Sequence, residues 1–263
     1  MNVPIRMLGI ATTIIWIILA AFIASAAYSM KDLSFSVGEP QFTPTSNSNL
    51  MLTLPLSIDN RGYYSLKDSN LTTTFSDVQG NEISRASTFT AVIPQNQNTT
   101  ILHNVTINLN SLAENASQYL FEDTNLTCAV TAGLNFAEIL PTQLATNLTF
   151  PWGAPFYNFK LGQPHVDTTD ASHVAVNVPF SFDNHATFDL TGNLRVKLYD
   201  NNVDLLGETQ TALNAAKYSS SGGNLSFSIP TTSPMLNATV SGFFEVYFST
   251  PMFEYGPLVI PID

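Results

Sequence analysis

Only 11% of the 263 residues are charged, against roughly 25% in an ordinary soluble domain, so the chain's polarity rests on Asn, Ser and Thr. The net charge is −11 and the Lys and Arg residues are scattered singly, which argues against nucleic acid as a partner because no basic patch can neutralise phosphates. A single cysteine, Cys128 in the apolar run LTCAVTAGL, excludes an intrachain disulfide and reads as a small buried hydrophobe.

Residues 7–28, MLGIATTIIWIILAAFIASAAY, carry no charge. At 1.5 Å per residue they extend about 33 Å, enough to cross a hydrocarbon core of about 30 Å. Arg6 precedes the run, while Lys31 and Asp32 cancel after it. The positive-inside rule then predicts a single-pass membrane protein with a cytoplasmic N-terminus and residues 31–263 extracytoplasmic. The alternative is a secreted chain cleaved near Ala26, since Ala24 and Ala26 form an A-x-A-like site. The run is longer than a signal peptide's apolar region, which favours a retained anchor. Export without disulfides points to a prokaryotic envelope.

Beyond the anchor the chain repeats itself. LPLSIDN (54–60) returns as VPFSFDN (178–184), and FSVGEPQF (35–42) returns as FKLGQPHV (159–166), both 124 residues later. NLTTTFSD (70–77) aligns with NLRVKLYD (193–200), NVTINL (104–109) with NLSFSI (224–229), and NLTFPW (147–152) with PLVIPI (257–262). Matches in conserved order with a drifting offset indicate an internal duplication. The predicted organisation is an anchor over 1–30, a first unit over 31–152 and a second over 153–263, joined by the short, Pro-containing PWGAPFYNF (151–159).

Within each unit the apolar residues alternate. Leu50, Leu52, Leu54, Leu56 and Ile58 share one face, as do Val174, Val176, Val178, Phe180 and Phe182. Further strands are expected over 70–76, 86–93, 100–109, 125–134 and 145–150, then 193–199, 206–213, 224–229, 238–248 and 256–262. DNRG, DVQGN, PQNQN, DNN and SSSGG supply turns between them. Only NSLAENASQYLF (110–121) reads as helix. The fold class is therefore all-β: two tandem immunoglobulin- or fibronectin-III-like antiparallel sandwiches of six or seven strands each, behind a transmembrane helix.

The alternating strand followed by Asn60 with Tyr64–Leu66, and by Asn184 with Phe188–Leu190, resembles the LEA14/WHy (LEA_2) domain family over nearly all of 33–263. That family usually writes Asn-Pro-Asn at this corner, where this chain has DNRG and DNHA. The resemblance implies a sandwich fold, membrane-anchored extracytoplasmic relatives that include archaeal ones, and a lipid-binding or transfer role suggested for some of them. From their own chemistry, Asn60 and Asn184 are expected to bond backbone groups at a strand exit.

Eight N-x-S/T sequons occur, at Asn70, Asn98, Asn104, Asn115, Asn125, Asn147, Asn224 and Asn237. The Asn- and Thr-rich composition accounts for most of them, and export makes them glycosylation candidates. The best metal candidates are His165, Asp167, Asp170 and His173 in HVDTTDASH, read as a loop; the first unit writes FTPTSNSN there, which favours a solvated loop and no metal. No G-x-S-x-G elbow and no phosphate loop is present, and His103 has no evident acid partner. In SGFFEVYFSTPMFEYG (241–256), Phe243 and Tyr247 share one face of a strand while Phe244, Val246 and Phe248 share the other. One face suits the core; the other is expected to pack on the first unit or to form a protein or lipid surface through Phe243, Phe244, Tyr247 and Phe248. The functional expectation is a non-enzymatic, cofactor-free envelope scaffold or protein-interaction module. Lipid or hydrophobic-ligand binding is the alternative, and a metal-dependent enzyme is the remote one.

Overall fold

The computed structural model describes residues 3–45, 48–168, 173–230 and 242–262. The chain is all-β behind one long apolar helix, α1 (Val3–Met30). The first unit contains β1 (Leu33–Val37), β2 (Gln41–Thr45), β3 (Asn49–Asn60), β4 (Leu66–Ser76), β5 (Glu82–Ile93), β6 (Gln97–Asn108), β7 (Thr124–Phe136) and β8 (Leu140–Trp152), with α2 (Leu109–Asn115) and α3 (Gln118–Phe121) before β7. The second contains β9 (Tyr157–Leu161), β10 (His165–Thr168), β11 (His173–Asn184), β12 (Leu190–Asp200), β13 (Leu205–Ala215), β14 (Ser219–Pro230), β15 (Gly242–Ser249) and β16 (Glu254–Ile262).

Strand order is the same in both units. One sheet pairs β6 with β3, whose other edge is shared end to end by β1 and β2; the second runs β5-β4-β7-β8. In the second unit β14 pairs β11, which β9 and β10 share, and the partner sheet runs β13-β12-β15-β16. All pairings are antiparallel. Among the described residues each unit thus has eight strands, not six or seven. The two extra are short edge strands split by Gly38–Pro40 and by Gly162–Pro164.

The repeated phrase now has a physical reading. Pro55 and Pro179 lie where the edge strand is interrupted, so the amide proton that proline lacks has no ladder partner to lose. The amides of Gly38 and Gly162 instead donate to the Pro55 and Pro179 carbonyls, each at 2.7 Å. The closing asparagines are buried and act alike. Asn60 Nδ2 donates to the carbonyls of Tyr64 (3.0 Å), Ile93 (3.4 Å) and Pro94 (3.2 Å). Asn184 Nδ2 donates to those of Phe188 (3.0 Å), Ala215 (3.2 Å) and Ala216 (3.1 Å). Each Oδ1 accepts the amide two residues on, from Gly62 and Ala186. One side chain thereby ties a strand exit to the turn of the facing sheet.

The drift in the repeat offset has a visible cause. Leu66 and Leu190, both opening a strand, stand 124 apart, whereas Asp77 and Asp200 stand 123 apart and cap matching turns. The extra residue of the first unit is absorbed in a bulge of β4 against β7 between Lys67 and Asn70, where Asp68 has φ +52°. Two of the expected alignments are corrected by register. Asn49 pairs Asn108 and His173 pairs Pro230, so Asn104 corresponds to Ser226 and not to Asn224. Leu148, opposite Cys128, corresponds to Ile260, opposite Phe244, which shifts the last match by two as well.

The predicted helix over 110–121 is two short helices, with Asn108 Oδ1 capping α2 through the Ser111 amide at 2.9 Å. The core is nearly continuous. One apolar cluster runs from Leu50, Phe75 and Val105 through Tyr119, Trp152 and Phe156 into Val178, Leu225 and Phe248. A second, smaller cluster at the other end of the first unit holds Ile58, Leu66, Ile93, Leu134, Phe136 and, from α1, Ala26. His103 lies in the first unit with its ring nitrogens 2.8 Å from Thr73 Oγ1 and 2.7 Å from Thr88 Oγ1. On β6 it stands between Val105 of the large cluster and Ile101 beside the small one. By register its counterpart in the second unit is Leu225, where the core is uninterrupted.

Candidate functional site

Three regions carry chemistry beyond packing. The first is the seat of α1. Its middle turns are exposed, with Ile14, Trp16 and Ile18 each at least half accessible, but its last turns enter the first unit. Ala26 and Ser29 are 4% and 0% exposed. Ser25 Oγ meets Tyr64 Oη at 2.7 Å, and Ser29 Oγ accepts the Tyr63 amide at 2.8 Å. Phe22 packs edge-on against Tyr64 and Tyr28 stacks on Tyr63. A Cβ on Gly62 would stand 2.3 Å from Ser29 Oγ, so glycine is what lets the helix approach.

The second region is the outer face of β12 and β15. Alternation places Phe244, Val246 and Phe248 in the core, at 2%, 0% and 1% exposure. Phe248 packs 4.1 Å from Phe156 at the junction of the units. Phe244 and Phe248 are therefore removed from the expected partner surface, because inward positions of a sandwich strand are consumed by the core. Phe243 and Tyr247 face out, half-buried under neighbours directly opposite in register. Tyr199 stacks on Phe243 with centroids 5.1 Å apart. The Arg195 guanidinium lies 4.5 Å and the Lys197 ammonium 5.5 Å from the Tyr247 ring. Tyr247 Oη donates to Glu245 Oε2 at 2.8 Å, and that bond, with burial, holds its phenol above the usual range. This ladder borders an open groove of about 770 Å³ whose opposite wall is Ala113, Glu114 and Ser117.

The third region is the junction itself. Asp123 Oδ2 lies 2.7 Å from His185 Nδ1, while its Oδ1 accepts the Ala154 amide at 2.9 Å. The Ala154 carbonyl accepts the His185 amide at 3.0 Å, and the His185 ring stacks on Tyr157. The His–Asp pair is thus a clasp between units. Sequence reasoning missed it because its members are 62 residues apart. Beside it a mostly apolar groove of about 650 Å³ opens between Phe42 and Phe150, with Trp152, Pro151 and Tyr218 also lining it.

Of the HVDTTDASH candidates, His165 Nε2 and Asp167 Oδ1 meet at 3.3 Å. His165 and Asp167 belong to strand β10 and not to a loop, and Asp167 also accepts from Asn177 at 2.9 Å. His165 pairs with Asn177, four residues along β11 from His173, so the backbone positions of the two histidines are about 13 Å apart along the strand. Asp170 lies outside the described residues. Among those described, no three His, Cys, Asp or Glu side chains are grouped to hold a metal. His103 is a core residue whose burial lowers its pKa, and burial pushes the Cys128 thiol up to about 11. Of the sequons, Asn70, Asn98, Asn104, Asn125, Asn147 and Asn224 are all exposed; the Asn115 side chain and Asn237 are outside what is described.

The fold and its surfaces define an all-β protein of two topologically matched sandwich units behind an apolar helix. No family model and no curated protein matches the chain. Among solved structures it is similar to a beta-glucuronidase from glycoside hydrolase family 2, at 12% identity and TM-score 0.29 over 50% of this chain and 11% of that one. It is also similar to red sea bream transglutaminase, at 16% identity and TM-score 0.31 over 88% of this chain and 31% of that one. The chain spans about a tenth and a third of those proteins, and neither likeness informs its chemistry.

Proposed function

We propose that the chain is a membrane-anchored, extracytoplasmic, non-enzymatic protein that acts as an envelope scaffold or protein-interaction module. The observation that supports this reading is the burial of Ala26 in the first unit, with Phe22 and Ser25 in contact with Tyr64. Cleavage near Ala26 would remove Phe22 and Ser25 from their contacts with Tyr64, which favours a helix retained as an anchor. Arg6 before the span and the cancelling Lys31 and Asp32 after it orient the folded units outward. Six of the eight sequons fall in the first unit and two in the second. A sugar coat there leaves the Arg195–Tyr247 ladder of the second unit as the open face for a protein partner. Membership of the LEA14/WHy family belongs to this proposal, supported by the twice-built asparagine corner.

The mature N-terminus and the partner face are testable together. Intact mass spectrometry of protein extracted from native membranes should give a chain that retains residues 7–28. A photo-crosslinking amino acid at Tyr247 should yield one discrete protein adduct in those membranes, and one at Leu102 none. A cleaved chain, or no adduct at 247, defeats the reading. The apolar groove between Phe42 and Phe150 favours a second reading, a hydrophobic ligand such as lipid. Native mass spectrometry in detergent should then show a retained lipid that Phe150→Arg abolishes.

A further inference from the structure

We infer that the end of the first unit facing α1 is itself embedded in the outer membrane interface, with Tyr63, Ile139 and Leu140 in contact with lipid. This rests on the reading of α1 as a membrane span.

Helix geometry sets the depth. If the hydrocarbon begins at Met7, about 30 Å of it ends near residue 27 at 1.5 Å per residue. If the span is instead Thr12–Met30, it ends at Met30. Phe22 then lies about 7 to 12 Å inside that boundary. Yet Phe22 packs against Tyr64, 5.8 Å between centroids, and Tyr64 packs against Phe136, also 5.8 Å. Ser25 and Ala26 make their contacts with the unit at similar depth. A sandwich held to the helix at residue 22 cannot stand clear of the bilayer. Its rim must enter the interface.

The rim is built for that position. The β7–β8 turn follows Phe136 directly, and its Ala137 packs on the cluster that contains Ala26. Next in the turn, Ile139 and Leu140 are 68% and 41% exposed. On the neighbouring turn Tyr63 is 63% exposed and stacks on Tyr28, which places two tyrosines together at the end of the span, as at membrane interfaces. The charges at this end are paired at headgroup height. Lys67 meets Glu138 at 2.8 Å, Arg61 meets Asp59 at 2.8 Å, and the Lys31 ammonium lies 4.9 Å over the Tyr28 ring. Asp32 and Asp68 complete the set, so the rim offers no excess of positive charge. Apolar burial, and not attraction to anionic lipid, is what holds it.

Nitroxide accessibility tests this on the full-length chain in phosphatidylcholine nanodiscs. Single cysteines would replace Tyr63, Ile139, Val203 and Ile18; the native Cys128 is buried and escapes labelling. Val203 lies in the β12–β13 turn at the far end of the second unit, and Ile18 at mid-helix. Labels at 18, 63 and 139 should be relaxed by oxygen and shielded from a water-soluble nickel chelate, with the opposite at 203. Relaxation of the 63 and 139 labels by nickel as fast as at 203, with 18 still shielded, overturns the embedded rim and leaves the anchor standing. Nickel access at 18 overturns both. All four positions are exposed, so each variant should keep the parent's melting temperature.

Discussion

Single polar side chains decide how each unit closes. Asn184 holds three backbone carbonyls, two of them buried, so Asn184→Ala removes the donor to two buried acceptors and should cost about 2–4 kcal/mol in chemical denaturation. Asn184→Asp should fare no better, because a carboxylate donates nothing to a carbonyl. His103 gives a pH signature. Its folded pKa lies below the unfolded reference of 6.5, so below pH 6.5 the unfolded state binds the extra proton. Stability should therefore be complete above pH 6.5 and fall as pH drops from there towards the folded value. A thermal melt at pH 7.5 and 5.5 should show a loss that shrinks in the double variant His103→Leu, Thr73→Val, where the other histidines still titrate. His103→Leu alone strands the Thr73 hydroxyl and should cost about 1–3 kcal/mol that the second substitution recovers. The second unit supports this expectation, since by register it places Leu225 and Val196 at the corresponding positions.

Among the elements, the contact between α1 and the turn over 61–65 matters most. The helix is long enough to span a membrane by its composition alone, but its fixed attachment depends on a missing side chain at Gly62. Gly62→Ala puts a carbon within 2.7 Å of the Ser29 carbonyl as well as its hydroxyl, which the backbone must yield to relieve. The expected cost is about 1–3 kcal/mol in local docking. Limited proteolysis should report it as new cleavage after Lys31, with the rest of the first unit still resistant. The edge strands show the same economy: a Gly facing a Pro breaks each edge where the partner strand has no amide to offer, and short interrupted edges resist pairing with other chains.

At the scale of the whole molecule, the two units share a core. Phe121, Phe156 and Phe248 pack across the junction, and the Trp152 indole donates to the Tyr119 carbonyl at 2.8 Å. Burial this continuous couples the units, and calorimetry should give one transition for residues 31–263. Gly153→Ala would set a carbon 1.9 Å from the His185 carbonyl, which no rotamer relieves. That variant should separate the endotherm into two, the earlier lowered by a loss of about 3 kcal/mol. Under the proposed anchoring, a rigid pair of units on a seated helix would present the Arg195–Tyr247 ladder at a set distance from the membrane.

Alternation of Leu50 to Ile58 and of Val174 to Phe182, the recurrence of LPLSIDN, and the uncharged run over 7–28 determined the all-β class, the repeat and the apolar helix without coordinates. These are local signals: period two reports a half-buried strand, and a span reports its own length. The same periodicity hid the register. A slip of two residues returns every side chain to its face, so Asn104 matched Asn224 as well as it matched its true counterpart Ser226. It hid the glycines too, since Gly62 and Gly153 are explained only by what lies across from them. Which outward residues stay open was likewise undecided: Phe243 and Tyr247 point out by parity, but Tyr199, Arg195 and Lys197 cover them from the neighbouring strand. The seat of α1, the junction clasp and the exposed ladder all join residues dozens of positions apart. Only tertiary packing could decide them, because contact energy depends on distance in space and not along the chain.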